Sequence, residues 1–98
     1  MAQIIWAPKA LEDLGAVVEY IARDAPVTAR RFGEKLITRV ESLKTHPLSG
    51  GFIEEDESHT YRQILQGNYR VIYRVADDTV IIVAVHHAAR VLDPDDLA

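Results

Sequence analysis

Residues 60–87 have the sequence TYRQILQGNYRVIYRVADDTVIIVAVHH, in which runs rich in Tyr, Ile and Val alternate with short polar turns. The three runs are residues 60–66, 69–76 and 79–87. Gly67 and Asn68 separate the first two runs, Asp77 and Asp78 separate the last two, and all four are residue types common in two-residue hairpin turns. The pattern therefore predicts three consecutive strands that pair as an antiparallel meander.

The first 45 residues have a helical period instead. Pro8 and Pro26 each stand where the first turn of a helix tolerates proline. After each proline, apolar residues recur every three or four positions, as on one face of an amphipathic helix. They are Ala10, Leu11, Leu14, Val17, Val18 and Ile21 in the first segment, and Ala29, Phe32, Leu36, Val40 and Leu43 in the second. The link between the two helices is so short that we predict a helical hairpin.

A short β-prone segment at Gln3–Trp6 completes the predicted order β-α-α-β-β-β. This order indicates an α+β fold, in which the N-terminal helical hairpin packs on one face of a small antiparallel sheet. Residues 48–59, between the helices and the meander, contain the acidic run Glu54 to Glu57. Consecutive like charges are typical of a solvated loop, and we predict one here.

The composition favours one ordinary globular domain over residues 1–98, because 48% of the residues are hydrophobic and 27% are charged. The absence of cysteine excludes disulfide scaffolds and thiol catalysis. Residues 79–85, the longest uncharged apolar run, are far shorter than the ~20 residues that span a bilayer. No secretory signal pattern is present at the N-terminus, so we expect a cytoplasmic protein without a membrane partner.

The net charge of −4 is concentrated in two acidic segments, residues 54–57 and 93–96. A general nucleic-acid binder needs a broad basic surface to neutralise phosphates, and this chain has only local basic positions. We therefore expect no direct sequence-specific binding of nucleic acid. We also expect no metal or other cofactor, because the adjacent His86 and His87 lack the spacing of a paired metal site.

Three further segments form a recognisable set. They are PLSGG at residues 47–51, YRQILQGNYRVIYRV at residues 61–75 and VHHAAR at residues 85–90. Together with the helical hairpin, they resemble the RelE/ParE toxins of bacterial type II toxin–antitoxin modules over nearly the whole chain. The resemblance implies a small α+β toxin that is neutralised by a cognate, ParD-like antitoxin. The ending His87 to Arg90 is most similar to the ParE branch.

The two branches of this superfamily imply different targets. Members of the RelE branch cleave mRNA on the ribosome, whereas the ParE branch inhibits DNA gyrase and is not known for nuclease chemistry. If this chain were a nuclease, the resemblance would assign the chemistry to Arg62, Arg70, His87 and Arg90. Ile64 and Ala88 stand where nucleases carry basic residues, and no tyrosine follows Tyr73. We therefore expect a gyrase inhibitor that acts without catalysis; a ribonuclease and a non-toxic, antitoxin-binding relative are the alternatives.

Target contacts are expected from the basic side chains of the strands and the C-terminal segment. The set is Arg62, Arg70, Arg74, His87 and Arg90. Because side chains alternate along a strand, Arg70 and Arg74 share one face. Arg62 joins that face only if the first hairpin turn has three residues, since a two-residue turn pairs Arg62 with Tyr73.

Antitoxin contacts are expected mainly from the apolar stripes of the helices, which can accept a helix or an extended segment. The expected set is Leu14, Val18, Ile21, Phe32, Leu36 and Arg74. His86 and His87 end a strand and therefore point to opposite faces. An acid–base role would require the outward histidine to lie beside Arg70.

Overall fold

The computed structural model describes residues 1–97. Its elements, in chain order, are β1 Gln3–Trp6, α1 Pro8–Ala22, α2 Pro26–Glu41, a 3-10 turn Ser42–Lys44, β2 Gly51–Phe52, β3 Tyr61–Gln66, β4 Tyr69–Ala76, β5 Thr79–His87 and a second 3-10 turn Pro94–Asp96. Both α-helices have proline in the first turn. Backbone N–H groups in the first turn have no intrahelical acceptor, so the N–H that proline lacks costs the helix no hydrogen bond. None of the helices in this part of the chain is long and apolar enough to cross a membrane.

The five strands form one sheet in the order β1-β5-β4-β3-β2. The predicted meander of β3, β4 and β5 is confirmed. The two helices pack against each other and against the sheet, as expected. Two features extend the prediction. β1 pairs with β5 in parallel, which the long connection through both helices permits, so the sheet is mixed. β2 lies inside the segment that we predicted as loop and adds two residues at the opposite edge.

The first hairpin turn has two residues, because Gln66 pairs with Tyr69. Gly67 adopts a φ of 59°, which a side chain at this position would strain. This register places Arg62 opposite Tyr73. The side chain of Arg62 therefore projects from the same face of the sheet as Tyr73, opposite to that of Arg70.

The main core lies between the helices and one face of the sheet. Its fully buried members are Ala10, Leu36, Val40, Leu43, Val71, Tyr73, Val80 and Ile82. The Tyr73 hydroxyl also fixes the loop before β2, since it donates to the Pro47 carbonyl at 2.8 Å and accepts from the Gly50 amide at 2.9 Å. A Cβ on Gly50 would lie 2.6 Å from that hydroxyl, so only glycine fits there.

A second, smaller core covers the opposite face of the sheet, which we call the outer face. It consists of Ile53, Ile72, Val83, Ala84 and Leu92, with partly buried Tyr61, Ile81 and Leu97 packed against it. Ile53 precedes the acidic run and Leu92 belongs to the C-terminal tail, and each is 4% exposed or less. The acidic segment is therefore anchored to the sheet. Residues 54–57 do lie in turns with mostly exposed positions, as predicted, but the sequence argument missed the apolar anchor beside them.

Candidate functional site

Arg70 lies on the outer face and is almost completely covered, with 10% of its side chain exposed. Its Nη1 and Nη2 atoms donate to the two carboxylate oxygens of Glu55, at 3.0 and 3.2 Å. This two-bond arrangement is the strong form of an arginine–carboxylate pair. Arg70 is therefore already paired with an acidic side chain of its own chain.

Glu55 also joins the acidic segment to the C-terminal tail. Its Oε2 accepts the backbone N–H of Leu92 at 3.1 Å, and only 20% of the Glu55 side chain is exposed. Hydrogen bonds from Arg70 and from the Leu92 amide hold the pKa of Glu55 below its ordinary value of 4.5, although desolvation acts in the opposite direction. One carboxylate thus connects the acidic segment, β4 and the tail.

Replacement of Glu55 by glutamine should lower the free energy of unfolding by about 1 kcal/mol at pH 7. This is less than the roughly 1.5–3 kcal/mol usual for a hydrogen bond to a charged group, because Glu55 is partly exposed and solvent screens the pair. A carboxyl group whose pKa is lowered by folding contributes stability above its unfolded pKa and loses that contribution as pH falls through the folded value. The difference in free energy of unfolding between wild type and variant should therefore have its full size above about pH 4.5 and shrink as the pH falls further. Urea unfolding at a series of pH values measures it. In the control Glu57→Gln, a difference of the same size and pH dependence would contradict the prediction.

A cavity of about 440 Å³ lies beside this ion pair. It is lined by Phe52, Glu54, Glu55, Gln63, Arg70 and residues 88–91. The Nε atom of Arg70 and the Oε1 atom of Gln63 are both buried without a hydrogen-bond partner. Arg70 and Arg90, two of the predicted target-binding residues, are thus brought together at one cavity.

The two histidines are separated by the sheet. His86 pairs with Arg70 across β4 and β5, is 7% exposed, and places its Nε2 atom 3.2 Å from a carboxylate oxygen of Asp96. Burial lowers the pKa of His86, while Asp96 acts in the opposite direction. The exposed His87 instead packs edge-on against Tyr69, with ring centroids 5.2 Å apart. The outward histidine therefore does not lie on the face of Arg70, and the condition that we set for acid–base catalysis is not met.

The remaining arginines do not extend the cluster around Arg70. Arg62 donates to the carbonyl oxygens of Leu48 and Gly50, at 3.2 and 2.8 Å, and lies over the ring of Phe52. Arg74 pairs across the sheet with Tyr61 and lies four residues, or about 13 Å, along β4 from Arg70. Of the two turn lengths left open by the sequence, the two-residue turn is observed, and it places Arg62 on the other face from Arg70.

A second cavity, of about 480 Å³, opens between α1 and the end of β5. Its lining is Asp13, Ala16, Val17, Tyr20, Tyr69, Val85, His86, His87 and Arg90. β1 covers β5 only over residues 79–82, so the rest of β5 has a free edge. Asp13 of α1 occupies part of that edge, since its carboxylate accepts the Val85 N–H at 3.0 Å.

The predicted antitoxin-binding residues do not form one surface. Leu14 and Phe32 are half-buried and pack against the main core, and Val18 and Ile21 are half-buried on the same hairpin. Leu36 was a wrong prediction, because it is fully buried in the core and offers no surface to a partner. Arg74 lies on the outer face, so it does not join the helices. The sequence argument missed Tyr20, which is 66% exposed beside an apolar cavity, because the helical period assigned no role to it.

Chemically, the outer site can hold an oxyanion through Arg70 and Arg90. Within residues 1–97, no three His, Cys, Asp or Glu side chains are grouped to hold a metal ion. The helix-side cavity is mostly apolar and open, which suits a peptide segment better than a reacting substrate.

Comparison with known proteins places this geometry in a family. The model of the ParE toxin of the type II toxin–antitoxin system parDE matches residues 4–92. Toxin RelE2 of Caulobacter vibrioides is 37% identical over 91 residues, which are 92% of this chain and 99% of that protein.

Solved structures give the same fold. The chromosomal ParDE toxin–antitoxin system of P. aeruginosa superposes with a TM-score of 0.75 at 19% identity, over 89% of this chain and 96% of that one. The RelBE2 toxin–antitoxin complex of Mycobacterium tuberculosis has a TM-score of 0.64 at 23% identity, over 88% and 96% of the two chains. With the family match over residues 4–92, these likenesses lead to one conclusion: the chain belongs to the ParE toxin family of type II toxin–antitoxin systems, within the RelE/ParE superfamily.

Proposed function

We propose that this chain is an antitoxin-neutralised toxin that inhibits DNA gyrase by binding it, and that it does not cleave RNA. The proposal that the protein does not cleave RNA rests on the surroundings of Arg70. Its guanidinium is paired with Glu55, the neighbouring His86 is buried against Asp96, and the exposed His87 lies on the opposite face. The resemblance to the ParE branch names gyrase as the target.

Cleavage of RNA through the ribose 2′-hydroxyl needs a proton acceptor, a proton donor and cations around the phosphate. On the outer face, His86 is buried against Asp96, and its lowered pKa favours the neutral form. The nearby cavity wall is formed at residues 88 and 89 by two alanines. The site therefore has cations for an oxyanion, but its one nearby histidine is buried, and no exposed proton donor and acceptor among residues 1–97 stand together beside Arg70.

Ribosome-dependent mRNA cleavage is the second candidate. It is favoured by Arg70 and Arg90 lining one cavity and by the name of the RelE2 relative. The acidic segment at residues 54–57 lies beside this cavity, and the acidic tail lies over the same face of the sheet. Together they carry seven Asp and Glu residues, at positions 54–57, 93, 95 and 96. Such a charge repels a polyanion, which is the reason that we rank this candidate second.

For the antitoxin, we assign the cavity between α1 and β5. Its walls combine apolar side chains with a strand edge that β1 leaves uncovered and Asp13 occupies at Val85, so it can receive a hydrophobic side chain and, beside Asp13, extended backbone. The similar ParDE and RelBE2 structures are toxin–antitoxin systems, which supports a partner of this kind.

Induced expression of the chain should produce filamentous cells with a DNA-damage response, and the purified protein should inhibit gyrase supercoiling. Primer extension after in vitro translation should reveal no new mRNA ends. His87→Ala should reduce gyrase inhibition less than tenfold, since loss of a proton-transfer group would reduce a reaction by 10²-fold or more. Arg90→Ala should weaken inhibition by about tenfold, because it removes a charged contact.

Site-specific mRNA ends that disappear in His87→Ala would replace this proposal by the ribonuclease. Unaffected growth would indicate the non-toxic relative. Truncation after Ala89 is a poor test of target contact, because it also removes the buried Leu92.

A further inference from the structure

We propose that Glu55 is an internal ligand that blocks Arg70, and that binding of the target replaces it with a carboxylate side chain of the target protein. This inference rests on the proposed function, because it concerns how the target is engaged. It adds a self-blocking contact to the site and names the chemical group that displaces it.

The first support is the geometry of the pair. Two hydrogen bonds of 3.0 and 3.2 Å join one guanidinium edge to both oxygens of one carboxylate. Arg70 has 10% of its side chain exposed, so this is not a loose surface pair. An arginine held in this way presents a ready-made position for a carboxylate, and Glu55 fills that position from within the chain.

The second support is that the arginine is incompletely satisfied. Arg70 has five N–H donors, and its Nε is buried without a partner. Gln63 beside the same cavity also has a buried, unpartnered oxygen. Buried polar atoms without partners are rare in native proteins, so this site keeps hydrogen-bonding capacity that Glu55 does not use.

The third support is the way in which Glu55 is held. Three hydrogen bonds hold the Glu55 carboxylate, two from the guanidinium and one from the Leu92 amide, while the segment and the tail are anchored separately by buried Ile53 and Leu92. The neighbouring turn is held independently, because Asp56 accepts the backbone N–H groups of Ser58, Thr60 and Tyr61. Glu55 can therefore leave while the rest of the segment stays folded.

The ligand chemistry follows from the occupant and its surroundings. Glu55 shows that the site accepts a carboxylate with both oxygens engaged. The acidic residues around this face disfavour the extended phosphate backbone of a nucleic acid, whereas a single acidic side chain on a protein brings little additional charge. Phe52 and Val91, on the same cavity, provide apolar contact for the stem of such a side chain.

The test uses the full chain and two probes, N-acetylglutamate for a carboxylate and inorganic phosphate for the alternative oxyanion. The Arg70 Nε–H signal in NMR titrations reports binding. Glu55→Gln should bind N-acetylglutamate at least tenfold more tightly than wild type, because the competing charge is removed from the guanidinium. The matched control Glu57→Gln removes an equal charge from the same segment outside the cavity and should bind as wild type does. In the Glu55→Gln background, Arg70→Lys should abolish the gain.

Equal binding by Glu55→Gln and Glu57→Gln would overturn the inference, and tighter binding of phosphate than of N-acetylglutamate would overturn its carboxylate assignment. If Glu55→Gln does not fold, Glu55→Asp keeps the charge but shortens the side chain, and it should still bind more tightly than wild type. Gyrase assays separate the two proposals. If Glu55→Gln binds the probe more tightly but neither it nor the wild type inhibits gyrase, only the proposed function is wrong. If the protein inhibits gyrase but Glu55→Gln does not bind the probe more tightly, only this inference is wrong.

Discussion

Replacement of Leu92 by alanine should lower the free energy of unfolding by about 2–5 kcal/mol, the range for truncating a leucine inside a core. Leu92 is 4% exposed and packs in the second core with Ile53, Ile72, Val83 and Ala84. Its removal leaves a cavity between the tail and the outer face of the sheet. Urea unfolding followed by circular dichroism measures the loss directly.

The neighbouring Val91 provides a matched control, because it precedes Leu92 in the same tail and is 82% exposed. Val91→Ala should change the free energy of unfolding by no more than about 0.5 kcal/mol. If both variants were equally stable, the tail would not be part of the folded core. The description of a covered outer face would then be wrong.

Replacement of Tyr20 by aspartate should weaken antitoxin binding by about 100-fold or more. Tyr20 is 66% exposed at the cavity between α1 and β5, so the variant should fold, but it places a charge beside the apolar wall that we assign to the antitoxin. An aromatic residue in such a position is a typical hot spot, for which substitution raises the binding free energy by about 2–4 kcal/mol. Calorimetry with the product of the neighbouring reading frame measures the affinity.

Val27→Asp is the control for this variant. Val27 is an exposed apolar residue of α2, 53% exposed, and does not line the cavity. It should reduce the affinity by less than tenfold. A large loss with Val27→Asp and none with Tyr20→Asp would move the antitoxin site to the outer surface of α2.

These expectations assign different roles to the two faces of the sheet. The helix side offers an apolar cavity and an open strand edge, whereas the outer face holds a blocked arginine beneath acidic segments. An antitoxin on the helix side and a protein target on the outer face would occupy separate surfaces. Arg90 lines both cavities.

Local patterns predicted most of the secondary structure. The strands expected at residues 69–76 and 79–87 have the observed bounds, and the one expected from residue 60 begins one residue later. These elements depend on residues close together in sequence, namely a period of two and turn residues such as Gly67. β2 escaped prediction because two residues are too short for any period and depend on pairing with β3.

The sequence by itself determined the order of all the elements except β2, the α+β class and the family, because each is encoded by neighbouring residues or by contiguous motifs. Only the tertiary structure decided which candidate residues share a site. A two-residue turn in place of a three-residue turn moved Arg62 to the opposite face, and chain folding paired Arg70 with Glu55, 15 positions away. It likewise joined Asp13 to Val85, 72 positions apart. Such contacts depend on strand register and on the path of the loops, and no local pattern specifies either.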